Sequence, residues 1–412
     1  MRRGLLLRCY LLVTYLLPLI APKILQRRLN RGKEHPARWV EKLGNALAPR
    51  PKGPLIWLNA VGLGEVLSLR GLIAQLHEQH PDLSFLVTSS TATSAQVFAR
   101  NLPPRTIHQF LPIDAPGPRR KFLDLFQPDL CIWAEQDLWP GFVSDLAQRQ
   151  IPQAIVAARM NAKSFRSHAR AKGLYRDLYQ AMKLVTAQDD STADHLRSIG
   201  ANARVTGSLK PAAPMLGCDP QELDTLMARF TDRKVWITAP SHAADEDVAL
   251  QAHQQLLQDD PTALLIIAPR FPERSDEIVD ASCPRRSRNE IPQASDPIWL
   301  CDTFGDLGLI CRLAESVLIG GTFDTTQGHN PWEAAALGTT ILHGPNTANF
   351  ATDFAMLDQS NAAIKVTSAT ELYQALRRDD LDHIAQRACT CIKTASDSTT
   401  ALATDLIALL ER

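Results

Sequence analysis

The chain of 412 residues carries no net charge, since 44 basic side chains balance 44 acidic ones. Without a basic surplus there is no electrostatic ground for a nucleic-acid partner. Its eight cysteines are scattered, the only close pair being Cys389 and Cys391, and no C-x-x-C or Cys/His ligand spacing occurs. That argues against a structural zinc site, and free thiols in a reducing compartment are the simplest reading. Short-period repeats and low-complexity segments are also missing. With 45% hydrophobic and 21% charged residues the chain is a folded body. Its length exceeds one ordinary core, so two domains are expected.

One absence is local. Residues 1–33 contain no acid, yet carry Arg2, Arg3, Arg8, Lys23, Arg27, Arg28, Arg31 and Lys33. The uncharged run between Arg8 and Lys23, CYLLVTYLLPLIAP, is shorter than the about 20 apolar residues a spanning helix needs. Extension back through Gly4–Leu7 reaches that length only by including Arg8, which can snorkel toward headgroups. A cleaved signal peptide is the rival, but Pro22 and Lys23 stand where small residues mark cleavage. The expectation is an uncleaved anchor over residues 1–33, with basic flanks suited to anionic lipids of a cytoplasmic leaflet.

From Leu55 onward short apolar runs alternate with amphipathic stretches. The runs LIWLNA (55–60), LSFLVTS (83–89), LCIWAE (130–135), QAIVAAR (153–159) and LVTAQ (184–188) read as strands. Helix-like segments such as LSLRGLIAQLHEQH and GFVSDLAQRQ separate them. Such spacing indicates parallel βαβ units. After a Pro-rich connection at 210–214 the pattern restarts with VWITAP (235–240), ALLIIAPR (263–270), IWLCDT (298–303), SVLIGGT (316–322) and TILHGP (340–345). The chain thus reads as two doubly wound α/β domains, 34–210 and 211–412. In such folds ligands meet the carboxyl ends of strands, and the cleft of a two-domain version is the natural site.

The stretch NAVGLGEVLSLRG, Asn59 to Gly71, resembles a phosphate loop but lacks its partners. Leu67 stands where a dinucleotide fingerprint needs its third glycine, and no P-loop lysine follows. What remains is a glycine turn that places Glu65 in a helix's first turn, where the dipole favours a carboxylate. A second acidic pair, Glu135 and Asp137, follows the strand LCIWA; Asp137 is as readily a helix cap as a site residue. The third stretch is GGTFDTTQGHNPWEAAALG, Gly320 to Gly338. Asn330 as cap and Pro331 at the first helical position open a helix bearing Glu333. Amides there and at Gly320–Gly321 suit a phosphate without a metal, and Glu333 suits ribose hydroxyls. His329 takes its functional reading from this setting. Arg270 and Arg274, around Phe271-Pro272-Glu273, and Lys210 add cations matched to phosphate or carboxylate. Ion pairing of Arg274 with Glu273 or Glu277 is the bland alternative. Asp245-Glu246-Asp247 opens a helix and needs no metal to explain it.

Assembled, these residues resemble the 3-deoxy-D-manno-octulosonic acid (Kdo) transferases. The resemblance rests on Arg31-Gly32-Lys33-Glu34, the A-V-x-x-G-E turn at 60–65, Thr88-Ser89-Ser90-Thr91, Leu138-Trp139-Pro140, Pro269–Arg274 and Gly328-His329-Asn330-Pro331. It runs from the N-terminal segment to about residue 355. Departures are Asn59 for His, Gly62 for Ser, Glu135-Gln136-Asp137 for E-T-E, Ala158-Arg159-Met160-Asn161 preceded by Ala157 for N-A-R-L-S, and Thr322 for Ser. The resemblance implies a GT-B fold, a membrane-bound inverting glycosyltransferase, CMP-Kdo as donor and a lipid A precursor as acceptor. It implies Glu65 as general base, with Glu135 positioning the acceptor or setting the charge of Glu65. Donor contacts fall to Lys210, Arg270, Phe271, Arg274, Gly320, Gly321, Thr322, His329, Asn330 and Glu333, and acceptor contacts to Asn59, Gly64 and Arg159. No metal and no cofactor are called for. A relative using another sugar nucleotide or lipid, and a non-catalytic binding paralogue, stay open as alternatives.

Overall fold

The computed structural model describes residues 3–100, 102–135 and 137–411; Arg2 and Gln136, named above, lie outside them. Two compact units result, one of Met1–Ala213 with Ala395–Arg412, the other of Pro214–Thr394.

The first unit is built on β1 (Leu55–Asn59), β2 (Ser84–Ser89), β3 (Thr106–Phe110), β4 (Leu130–Ala134), β5 (Gln153–Ala158), β6 (Leu184–Ala187) and β7 (Ala203–Val205). They form one parallel sheet in the order β3-β2-β1-β4-β5-β6-β7. Parallel pairing requires crossovers, and helices such as Leu63–Gln79 and Pro140–Gln148 supply them. Period-two alternation sends successive side chains of β1 to opposite faces. Leu55 and Trp57 enter a layer with Phe122, Trp133 and Phe142, while Ile56 and Leu58 join Leu69, Ile73 and Phe98. Both faces are covered, which is why the strands read as unbroken apolar runs.

The second unit repeats the plan with β8 (Val235–Ser241), β9 (Leu264–Pro269), β10 (Ile298–Leu300), β11 (Ser316–Ile319), β12 (Thr340–His343) and β13 (Ala363–Lys365). Their order is β10-β9-β8-β11-β12-β13, again parallel. Every strand expected from sequence forms, some ending earlier where the chain turns polar. The strands not anticipated, β3, β7 and β13, are all edge strands. The tail also differs from the 211–412 boundary. Residues 395–412 return to the first unit because Leu402, Ala403, Leu406 and Ile407 form a helical stripe buried beside Leu69 and Ile73.

One buried polar chain fixes the end of β1. Trp57 Nε1 donates to Thr88 Oγ1 at 2.9 Å, and that hydroxyl donates to Asn59 Oδ1 at 2.8 Å. Thr88→Val keeps the shape but strands both partners, at about 1–3 kcal/mol for each group left unpaired. The urea midpoint of the first unit, followed by tryptophan fluorescence, is expected to fall accordingly.

Candidate functional site

In each sheet the strand order reverses at one place, between β1 and β4 in the first unit and between β8 and β11 in the second. The loops leaving such a pair diverge to opposite faces and open a crevice at the strands' carboxyl ends. The residues singled out by sequence gather mainly at these two points.

In the first unit, Gly62 caps the helix Leu63–Gln79 and Glu65 is its third residue. Glu65 Oε2 accepts from the backbone N–H of Val61 at 2.8 Å and of Gly62 at 3.4 Å. This reciprocal cap holds a half-exposed carboxylate at the positive end of the helix. A Cβ on Gly62 would have only Glu65 Oε1 nearby, at 3.7 Å, and one on Gly64 would meet nothing within 4 Å. The turn is open on the side of the carboxylate. Across the crevice, Asp137 follows β4 and is pushed up to about 6 by burial and by the neighbouring charge of Glu65. It caps no helix, since the next one, Pro140–Gln148, starts from Trp139 without a side-chain cap. Asp137 is therefore a charge neighbour of Glu65, a place the sequence left about even between a helix cap and a site residue. The signal was the E-x-D spacing itself.

Glu135 stands at the end of β4 with φ +57°, a left-handed backbone unusual for a residue other than glycine, and its N–H donates to Val156 O at 3.0 Å. Arg159 follows β5 and is half-buried. Asn59, expected as an acceptor contact, is the last residue of β1. It is buried, with Oδ1 held by Thr88 and Nδ2 donating to Asp137 O at 3.4 Å. Its place is under the site, supporting the Asp137 backbone.

In the second unit a side chain of the protein itself holds the turn after β11. The amides of Gly321, Thr322 and Phe323, the first expected to cradle a phosphate, already donate to the carboxylate of Asp245, at 2.6, 3.2 and 3.1 Å. Asp245 also accepts from His242 N at 3.0 Å, capping the helix Ala243–Asp259. Its side chain ties the loop after β8 to the loop after β11 and fills the anion nest from within. Gly320 answers a packing need, because a Cβ there would lie 1.8 Å from Pro240 O; Gly321 adopts φ +70°. Thr322 is buried, donating its hydroxyl to Ile319 O and accepting from Gly344 N. Arg274 is held by buried Glu246 at 3.0 Å and by Glu277 at 3.1 Å. Thr322 and Arg274 thus each have partners within the protein.

Other expected donor residues face the crevice. Arg270 is exposed, its guanidinium 5.8 Å from the Phe271 ring centroid, with Phe271 itself 44% exposed. The His329 and His242 rings lie nearly parallel with Nε2···Nε2 at 2.9 Å, so one ring donates and the other accepts. Burial, then the charges of His242 and Arg270, hold His329 down to about 4. Sequence reasoning gave His242 no role, although it follows a strand end directly. Pro331 takes the cap position one residue later than expected, and the helix is the single turn Trp332–Ala335. Asn330 Oδ1 accepts from Trp332 N while its Nδ2 donates to Glu333 Oε1 at 3.1 Å. Burial pushes the Glu333 carboxyl up. Lys210 sits in the first unit, opening the turn Lys210–Ala212.

Residues 37–213 match the family model described as 3-Deoxy-D-manno-octulosonic-acid transferase (kdotransferase). The 3-deoxy-D-manno-octulosonic acid transferase of Rickettsia bellii is 32% identical over 90% of this chain and 90% of its own. That of Haemophilus influenzae is 30% identical over 80% and 79%. The chain belongs to the Kdo transferase family. It is a glycosyltransferase with the GT-B fold. The UDP-GlcNAc 2-epimerase of Neisseria meningitidis, at 13% identity and a TM-score of 0.57, covers 86% of this chain and 99% of its own. A glycosyltransferase from Rickettsia africae, at 10% identity and 0.56, covers 87% and 99%. Both share the architecture alone.

Two outcomes follow for this Kdo transferase relative. Asp137 binds its proton more tightly folded than unfolded, so stability is lost as pH rises from the ordinary carboxylate range to about 6. Asp137→Asn should raise the thermal midpoint at pH 8 and leave it unchanged below about pH 4. Asp245→Ala deprives four amides of their acceptor; faster hydrogen exchange confined to residues 321–323 and the start of the helix Ala243–Asp259 is expected.

Proposed function

We propose that this protein transfers Kdo from CMP-Kdo to a lipid A precursor, lipid IVA, at the cytoplasmic face of a bacterial inner membrane, with inversion at the anomeric carbon. The observation that carries this reading is the Glu65–Asp137 carboxylate pair at the β1/β4 switch point of a Kdo transferase family member. A hydroxyl of the lipid sugar attacks the anomeric carbon of Kdo from the face opposite CMP. As the new C–O bond forms, the bond from that carbon to the phosphate oxygen breaks and CMP departs with the electron pair. The hydroxyl proton passes to Glu65, whose Oε2 is already oriented by two amides. Asp137 stands beside it as the second carboxyl of the pair. Arg270 meets the phosphate or the sugar-acid carboxylate. Glu333, oriented by Asn330, accepts from ribose hydroxyls, and Phe271 offers a ring face to the base. The step calls on no metal or cofactor. The apolar N-terminal segment suits an acceptor whose acyl chains stay in the bilayer.

Membranes carrying the wild type, supplied with CMP-Kdo and tetra-acylated lipid A precursor, should release CMP and form the glycolipid. Glu65→Ala should lower kcat by about 10²–10⁴-fold. Equal turnover in both would remove Glu65 as the base, and CMP-Kdo binding without turnover on any lipid would leave a binding paralogue instead.

A further inference from the structure

The N-terminal segment is one helical run, Leu5–Val13, a 3₁₀ turn Thr14–Leu16 and Leu17–Asn30. By length and composition its 26 residues suffice to cross a membrane. Its packing says otherwise. Leu7, Thr14, Ala21 and Leu25 form a buried stripe along one side. Polar ties run the same length: Gly4 N donates to Asp177 Oδ2 at 2.7 Å, Tyr10 Oη to Asp114 Oδ2 at 2.8 Å, and Arg28 Nε to Glu34 Oε1 at 2.5 Å. Asp114 is itself buried, accepting from Gly141 N and Phe142 N. A helix of this length is about 39 Å long, and the hydrocarbon core is about 30 Å thick. To cross it, the segment must break these ties or draw charged groups of the folded unit into lipid.

The opposite side of the same run exposes Leu5, Leu12, Leu16, Leu19, Ile20 and Ile24. Beside its first turns lies the helix Lys172–Tyr179, where Leu6 Cδ1 is 3.6 Å from where a Cβ on Gly173 would stand, and the helix Ala162–Arg170 packs next to that one. Lys163, Arg166, Arg170, Lys172 and Arg176 are exposed there, and no acid occurs from 146 to 176. We propose that the N-terminal run lies in the membrane surface instead of crossing it, and that the basic helices beside it dock on anionic headgroups, giving one apolar and cationic face for a bilayer. The occupant follows from charge complementarity, since an apolar stripe flanked by exposed cations and no acid matches an anionic lipid surface. This deepens the membrane-bound reading above, and its readouts need no turnover, so the two fail separately.

Two measurements on the full chain test it. A cysteine-bearing peptide placed ahead of Met1 should react with a membrane-impermeant maleimide in sealed inner-membrane vesicles, cytoplasmic side out, as fully as Asn30→Cys and beyond the parent chain's background. Protection of that cysteine until detergent is added would show a crossing helix and overturn the proposal. The variant Lys163→Glu, Arg166→Glu, Arg170→Glu, Lys172→Glu should lose about tenfold or more of its partition onto phosphatidylglycerol vesicles, with little change on phosphatidylcholine. Should that variant not fold, 0.5 M salt on the native chain reads the same term. Partition indifferent to charge and salt, or a dimer that binds no vesicle and so covers the apolar stripe with a second copy, would overturn it as well.

Discussion

Both units depend on a carboxylate at the third position of the helix that follows their first strand. Glu65 in Leu63–Gln79 and Asp245 in Ala243–Asp259 each accept amides at their own helix start. Those amides have no partner within the helix, so an acid there satisfies them and meets the positive end of the dipole. The two then diverge. The Asp245 carboxylate is drawn into the turn after the facing strand, where three further amides bury it. Glu65 accepts from its own helix start and stays half-exposed, with a second carboxyl, Asp137, as its neighbour. One local device yields a structural clasp in one unit and an accessible pair of carboxyl groups in the other.

That divergence also marks how far the sequence could be read. Strand runs, helical crossovers and the restart after residue 210 were legible because parallel strands covered on both faces must be continuously apolar. Three of the four edge strands escaped for the complementary reason: short, partly exposed segments such as Ala203–Val205 and Ala363–Lys365 carry mixed side chains. The acids at strand ends were visible as residues, but their partners were not. Whether Gly321 offers its N–H to a ligand or to Asp245 depends on a contact 76 residues apart in the chain. Arg270 and Arg274 look alike in sequence. Only the second finds a buried Glu246, while the first has no carboxylate partner among the described residues. The tail was misassigned because its apolar stripe does not say which core it covers.

The two residues at which the opening turn departs from its relatives now have distinct physical meanings. Asn59 is linked through Thr88 to Trp57 in the core and through its amide to the Asp137 carbonyl. A change there acts on the carboxylate pair through the Asp137 backbone. Gly62 has φ −93° and ψ 168°, an extended conformation open to any residue, so its backbone does not demand glycine. What glycine leaves is space beside Glu65 Oε1, the oxygen turned away from the two capping amides. A serine at that position would place a side chain in the space that glycine leaves beside this oxygen. Both departures therefore bear on the surroundings of one side chain, Asn59 from beneath the neighbouring carboxyl and Gly62 from beside Glu65 Oε1.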